Sequence, residues 1–177
     1  MALLRAVSVL ASALLFVQNP RASEYQVKAV FLFNFAQFVD WPTVAAQDPR
    51  TPLLIGILGD DPFGAFLDET VRGEHLGLRP FEVRRYHELT DIEGCNILFI
   101  SRSENERVAQ ILAALHNRTM LTVSDGEDFA KRGGMIQFVN DKNRIRLRIN
   151  LEAAQAANVT ISSKLLRVAE IVRTPRR

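Results

Sequence analysis

Arg144, Arg146 and Arg148 stand at alternate positions and form the strongest ligand-reading constellation in the chain. In an extended strand this spacing puts three guanidinium groups on one side, about 7 Å apart, where each can grip a carboxylate or phosphate through two parallel N–H donors. The pattern also has a plainer use, because cations on an edge strand keep it from pairing with another sheet. Acid–base or metal chemistry has one candidate, Asp60-Asp61, at the end of an apolar run where open α/β sheets bind ligands. No third ligand lies near it in sequence, and Asp61 followed by Pro62 is what a helix start requires. Cys95 is the only cysteine, so the chain forms no intrachain disulfide and lacks a zinc spacing; beside the apolar run Ile97 to Ile100 it reads as a small buried thiol. His75, His87 and His116 have no partner spacing and read as surface residues. Gly56-x-x-Gly59 with Gly64 lacks the dinucleotide spacing, and no Gly-Lys-Ser/Thr phosphate loop is present. Asn117-Arg118-Thr119 and Asn158-Val159-Thr160 match a glycosylation sequon, a pattern short enough to arise by chance. No residue is assigned a catalytic role, and no cofactor or metal is called for.

The elements that position these residues follow from apolar patterning. Leu53 to Leu58 is an unbroken apolar run of strand length, which is stable only when both faces are covered. Polar Asp60-Asp61-Pro62 follows it and leads into a helix over Phe63 to Val71. Asn96 to Ile100 and Met120 to Val123 repeat the scheme, the first followed by a helical pattern from Glu104 to His116 and the second by a short segment centred on Phe129. Strand, turn and helix in recurrence predict right-handed crossovers, hence an α/β fold in which a largely parallel sheet is flanked by helices. Pro80 to Tyr86 alternates as a half-exposed strand, with Phe81, Val83 and Arg85 falling on one side. Met135 to Val139, a turn at Asn140–Asn143, and Arg144 to Asn150 predict a C-terminal antiparallel β-hairpin, with Ile145, Leu147 and Ile149 facing the core. Leu151 to Ala157 reads as a short helix, and Ser162-Ser163 caps a last helix, Lys164 to Val172, with Leu165, Leu166, Val168, Ala169 and Val172 inward.

The first helix of the domain is of a different kind. From a start at Ser23–Gln26 it runs over Val27 to Trp41 and is ended by Pro42. Val27, Val30, Phe31, Asn34, Phe35 and Phe38 share one face, yet Leu32, Phe33, Ala36 and Val39 make the other side apolar too. A helix without a wide polar face is buried on more than one side. Phe33 and Trp41, at its rim, are therefore either core or aromatic anchors for a partner.

Length and charge bound the rest. A chain of 177 residues, 47% of them apolar, supports one domain with an ordinary core. Arg5 followed by the apolar run Ala6 to Val17, then Pro20 and Ala22, reads as a secretory leader over residues 1–22, too short to span a bilayer. Residues 23–177 form the domain. Loss of Arg5 and Arg21 with the leader leaves 20 basic against 20 acidic groups, so bulk charge gives no support for nucleic-acid binding. The charge is uneven, with nine basic and 17 acidic groups over 24–130 but 11 basic and three acidic over 131–177.

Several segments together carry a likeness to a known family. They are Lys28 to Phe35 with Val39-Asp40-Trp41-Pro42, Gly59 to Gly64, Cys95 to Ser101, Leu121 to Asp125, Arg132-Gly133-Gly134-Met135-Ile136, and Ile149-Asn150-Leu151. In this order, over nearly all of the mature chain, they resemble the YfiR/HmsC family of periplasmic regulators. The resemblance implies a compact, often dimeric α/β protein of the periplasm that is not an enzyme. It would repress a membrane-bound diguanylate cyclase by binding the periplasmic domain of that inner-membrane GGDEF protein, and so govern cyclic-di-GMP and biofilm formation. Some relatives carry paired cysteines linked to redox sensing, whereas Cys95 is alone here. A periplasmic domain that binds or senses a small ligand is the other reading. The residues expected to meet a partner are Phe33, Trp41, Arg144, Arg146 and Arg148.

Overall fold

The computed structural model describes residues 20–40, 48–116 and 118–175. Trp41 and residues 1–19, most of the segment expected to be a leader, lie outside the described residues. In chain order the elements are Pro20–Phe38 (α1), Val39–Asp40 (β1), Leu53–Leu58 (β2), Ala65–Val71 (α2), His75–Leu76 (β3), Arg79–Tyr86 (β4), Ile97–Ile100 (β5), Val108–Leu115 (α3), Leu121–Ser124 (β6), Ile136–Asp141 (β7), Arg144–Asn150 (β8), Leu151–Ala156 (α4), Thr160–Ile161 (β9), Ser163–Leu166 (α5) and Ala169–Val172 (β10).

β2 is buried at every position, as its apolar run requires, with β4 parallel on one side and β5 parallel on the other. The eight-stranded sheet has the order β3-β4-β2-β5-β6-β7-β8-β10. β5, β6 and β7 continue it in parallel, β8 returns antiparallel to β7, and β10 lies parallel to β8. The hairpin turns on Lys142 and Asn143, both at positive φ, the geometry that matches the twist of its strands. β1 and β9 pair antiparallel in a ribbon of their own.

Side chains alternate between the two faces of the sheet, and the two faces carry separate cores. One row runs Ile57, Phe99, Val123, Ile136, Ile149 and Ile171 across β2, β5, β6, β7, β8 and β10. All but the last are buried in the larger core, under α1, α2 and the segments after β8. The matching row on the opposite face runs Leu58, Ile100, Ser124, Gln137, Arg148 and Glu170. It begins in the smaller core, under α3 and Phe129, and becomes polar and then exposed toward β10. Among the described residues the cover on this face therefore ends at β7, where Gln137 bonds Gly126 O at 2.9 Å, and the side chains of β8 and β10 beyond it reach water.

The structure corrects several expectations. α1 ends at Phe38, not at Trp41, because Val39 and Asp40 pair with Ile161 and Thr160. Its core face is Ala29, Leu32, Phe35 and Ala36, which turns Val27 and Val30 outward at 44% and 49% exposure. The helix expected from Phe63 begins at Ala65: Asp61 Oδ1 accepts from Phe63 N at 2.7 Å and holds the chain in a turn before it. Likewise Arg102–Glu104 is a 3-10 turn and the helix proper is α3. The last helix stops at Leu166, and Ala169–Val172 forms a strand instead, because β8 offers a parallel edge to four residues of suitable pattern. Val168, expected inside, is 72% exposed. β8 consequently has strands on both sides, so its arginines do not protect a sheet edge over Leu147 to Asn150.

Candidate functional site

Open α/β sheets bind ligands at the carboxyl ends of the strands where the chain changes direction, here β2 and β5. That crevice is filled by the protein itself. Ser103 Oγ accepts from Asp60 N at 3.0 Å, and Gly59, at φ +87°, has no room for a Cβ against Ser103 and Glu104. Asp61 is spoken for as a turn-forming acceptor and as a partner of Arg85 at 3.0 Å. Among the described residues no group of three His, Cys, Asp or Glu is placed to hold a metal ion.

One strand further along, α1 drops a cation into the sheet. Lys28 is 1% exposed, and its Nζ lies 2.6 Å from Asp125 Oδ2, just past the end of β6, and 2.5 Å from Glu24 Oε1. Tyr25 donates its hydroxyl to the same Asp125 oxygen at 2.7 Å, and Arg102 Nε donates to Asp125 O at 3.1 Å. Asn140, at the end of β7, donates to Glu24 at 2.8 Å. The other carboxylate oxygen, Asp125 Oδ1, is buried with no hydrogen-bond partner among the described residues. Burial would raise the Glu24 carboxyl, but the bonds from Lys28 and Asn140 outweigh it and hold it below its usual range. Burial and the hydrogen bond to Asp125 push the Tyr25 hydroxyl well up. The Tyr25 ring packs edge-on against Phe63 at 5.4 Å, and Phe63 against Phe99 at 4.8 Å, so the cluster is tied to the larger core. It fixes the first turns of α1 over the carboxyl ends of the strands. Glu24 and Lys28 stand at the i,i+4 spacing of a helical ion pair, whereas nothing in the spacing announces Asp125. The available signal is a lone lysine in an otherwise apolar helix, because an ammonium at such a position must find a carboxylate.

The arginines expected to read anions lie on the bare face of β8. Arg146 Nε pairs with Asp141 Oδ2 at 2.8 Å and Arg148 Nε with Glu170 Oε2 at 2.9 Å, so two of the three are partly neutralised. Both pairs are open to water and worth at most about 1 kcal/mol each. Arg144 is exposed, and its guanidinium has no ion-pair partner among the described residues. Phe33 is half-buried, its ring 5.0 Å from that of Phe81, so it belongs to the fringe of the larger core while still reaching the surface. It does not share a strand or helix with the arginines. Beside it on α1, Val27 and Val30 supply apolar surface that the sequence pattern placed inside.

Cys95 is buried against Gly56, where a Cβ would come within 2.8 Å of its sulfur. Burial pushes its thiol up to about 12, which leaves it protonated and inert. His75, His87 and His116 are exposed, as expected.

Among the described residues no helix is long and apolar enough to cross a membrane. No curated protein is significantly similar to the chain. The family model described as YfiR/HmsC-like matches residues 25–170, a span that holds Tyr25, Lys28, Asp125 and all three arginines of β8. Proteins of this kind are periplasmic regulators, generally non-catalytic, that act with a partner protein. With the fold and a match over most of its length in agreement, the chain belongs to the YfiR/HmsC-like family.

Proposed function

We propose that the protein is a non-catalytic periplasmic regulator that represses a membrane-bound diguanylate cyclase by binding the cyclase's periplasmic domain, thereby lowering cyclic-di-GMP and biofilm formation. The family match over residues 25–170 carries this reading. Two surfaces support it. The bare face of β8 presents Arg144, Arg146 and Arg148, and the outer side of α1 presents Val27 and Val30 near Phe33. Trp41 follows α1 by three residues and extends the aromatic rim in sequence. An aromatic and a cationic patch on one protein suit a partner interface, in which buried aromatics supply affinity and charges supply rate and register. Export through cleavage of residues 1–22 places the chain in the same compartment, and the intact mass of the periplasmic protein checks that step.

The deciding experiment deletes the gene and restores it with and without its leader. Deletion raises cellular cyclic-di-GMP, and only the exported chain restores repression. Unchanged cyclic-di-GMP in the deletion strain, with the cyclase present, refutes the proposal.

A further inference from the structure

β10 begins at Ala169, opposite Leu147, so among the described residues no strand lies on the outer edge of β8 from Arg144 to Arg146. A groove of about 780 Å³ opens at this step in the sheet. Its walls are the end of β7, the middle of β8 and the turn from Arg167 into β10. Val139 and Val168 give it an apolar lining, and Val168 is 72% exposed. Its charge is unbalanced. Asp141 and Glu170 are used by Arg146 and Arg148, whereas the guanidinium groups of Arg167 in the groove and Arg144 beside it have no partner among the described residues.

An open strand edge, an apolar lining and two unpaired guanidinium groups suit one kind of occupant. A free strand edge presents backbone donors and acceptors that only another extended backbone satisfies in series. The unpaired cations select carboxylates, and the exposed valine selects an apolar side chain between them. A second copy of this chain does not fit, because its own edge belongs to a stretch with 11 basic and three acidic residues and would bring like charges together.

We propose that the groove docks an extended acidic segment of a protein partner, which adds as a short strand to β8 ahead of β10 while its carboxylates meet Arg144 and Arg167. This rests on the reading that the chain works by binding a protein, and it adds where and in what conformation the partner is gripped.

The test uses the mature chain and a dye-labelled octapeptide of alternating Glu and Val, with the alternating Lys and Val peptide as control. Anisotropy reads affinity at two salt concentrations, and amide hydrogen exchange reads the site. The Glu peptide binds, salt weakens it, and the amides of Arg144 to Arg146 gain protection. Arg167→Glu and Val168→Asp, both at exposed positions, each weaken binding by about tenfold without shifting the melting temperature. The proposal is overturned if the Glu peptide fails to bind, if the Lys peptide binds as well, if protection falls elsewhere, or if both variants bind like the parent. The cyclase's periplasmic domain supplies the second arm. If it binds the parent and both variants alike, the groove is not the grip, although the repressor reading stands. If it does not bind the parent while the Glu peptide docks in the groove, the cyclase reading falls and the groove remains.

Discussion

Replacing Lys28 with Met isolates the buried ion pair from the packing around it, since the two side chains are of similar length and the helix tolerates either. In the parent, Lys28 Nζ and Asp125 Oδ2 are 2.6 Å apart with both side chains 1% exposed. Removing one member of such a pair leaves a desolvated carboxylate and costs about 3–5 kcal/mol. Tyr25 and Arg102 still donate to Asp125, which favours the lower end of that range. For a chain of this size the loss lowers the melting temperature by about 10 °C. Urea unfolding followed by far-UV circular dichroism measures it, with Arg146→Gln as the exposed control, expected within about 0.5 kcal/mol of the parent. The double replacement Lys28→Met with Asp125→Leu removes both charges and the orphaned Asp125 Oδ1 together. It recovers part of the loss, because two apolar side chains carry no desolvation cost, while Tyr25 gives up its acceptor and Glu24 its cation. A loss below about 1 kcal/mol for Lys28→Met refutes the reasoning, and so does a double variant less stable than either single one.

Other consequences are open to simpler assays. Cys95, pushed up to about 12 by burial, stays unmodified by a disulfide reagent at pH 8 in the native protein and titrates as one thiol after unfolding. Glu24 and Asp68 both sit below their usual range in the fold, Glu24 as described and Asp68 chiefly through its hydrogen bond from Arg85. The unfolded chain therefore takes up more protons in acid, so the stability they confer is present above the ordinary carboxylate range near pH 4 and is lost as pH falls through their folded values. The double variant Glu24→Gln and Asp68→Asn flattens that acid slope. Gly56→Ala drives a methyl to within 2.7 Å of Tyr86 and 2.8 Å of Cys95, and a loss of about 1–3 kcal/mol in denaturant unfolding is expected. Phe33→Ala weakens binding to the proposed cyclase partner by about 2 kcal/mol or more with the fold intact if its ring is an anchor, and by no more than its effect on stability if it serves only Phe81.

The sequence made the sheet legible where one physical demand dominated. Leu53 to Leu58 had no amphipathic option, and the alternation from Arg144 to Asn150 allowed only a strand with its arginines outward. The end of the chain resisted, because Leu165 to Val172 is apolar at helical spacing and at strand spacing alike, and the free edge of β8 decides between them. α1 is ambiguous in sequence for a related reason. With apolar residues on every side, its pattern cannot say which face is the core, and the buried Lys28 decides it through a carboxylate 97 positions away. The arginine face was visible as a pattern, whereas its neutralised pairs and the groove next to it depend on β10, which the pattern had assigned to a helix.

The packing of α1 also constrains how the protein can be made. Phe31 and Phe35 of α1 lie against Phe138 of β7, at 5.9 Å and 5.8 Å between ring centroids, and Lys28 waits for Asp125 beyond β6. This helix is the first element of the domain to be made, while Asp125 and Phe138 follow late in the chain. Until β6 and β7 emerge, Phe31 and Phe35 lack the ring of Phe138, and Lys28 has Glu24 of its own helix but not Asp125. Contacts so distant in sequence slow folding and hold the nascent chain in an adhesive state. The order of synthesis thus leaves the core face of α1 incompletely covered until most of the sheet has been made.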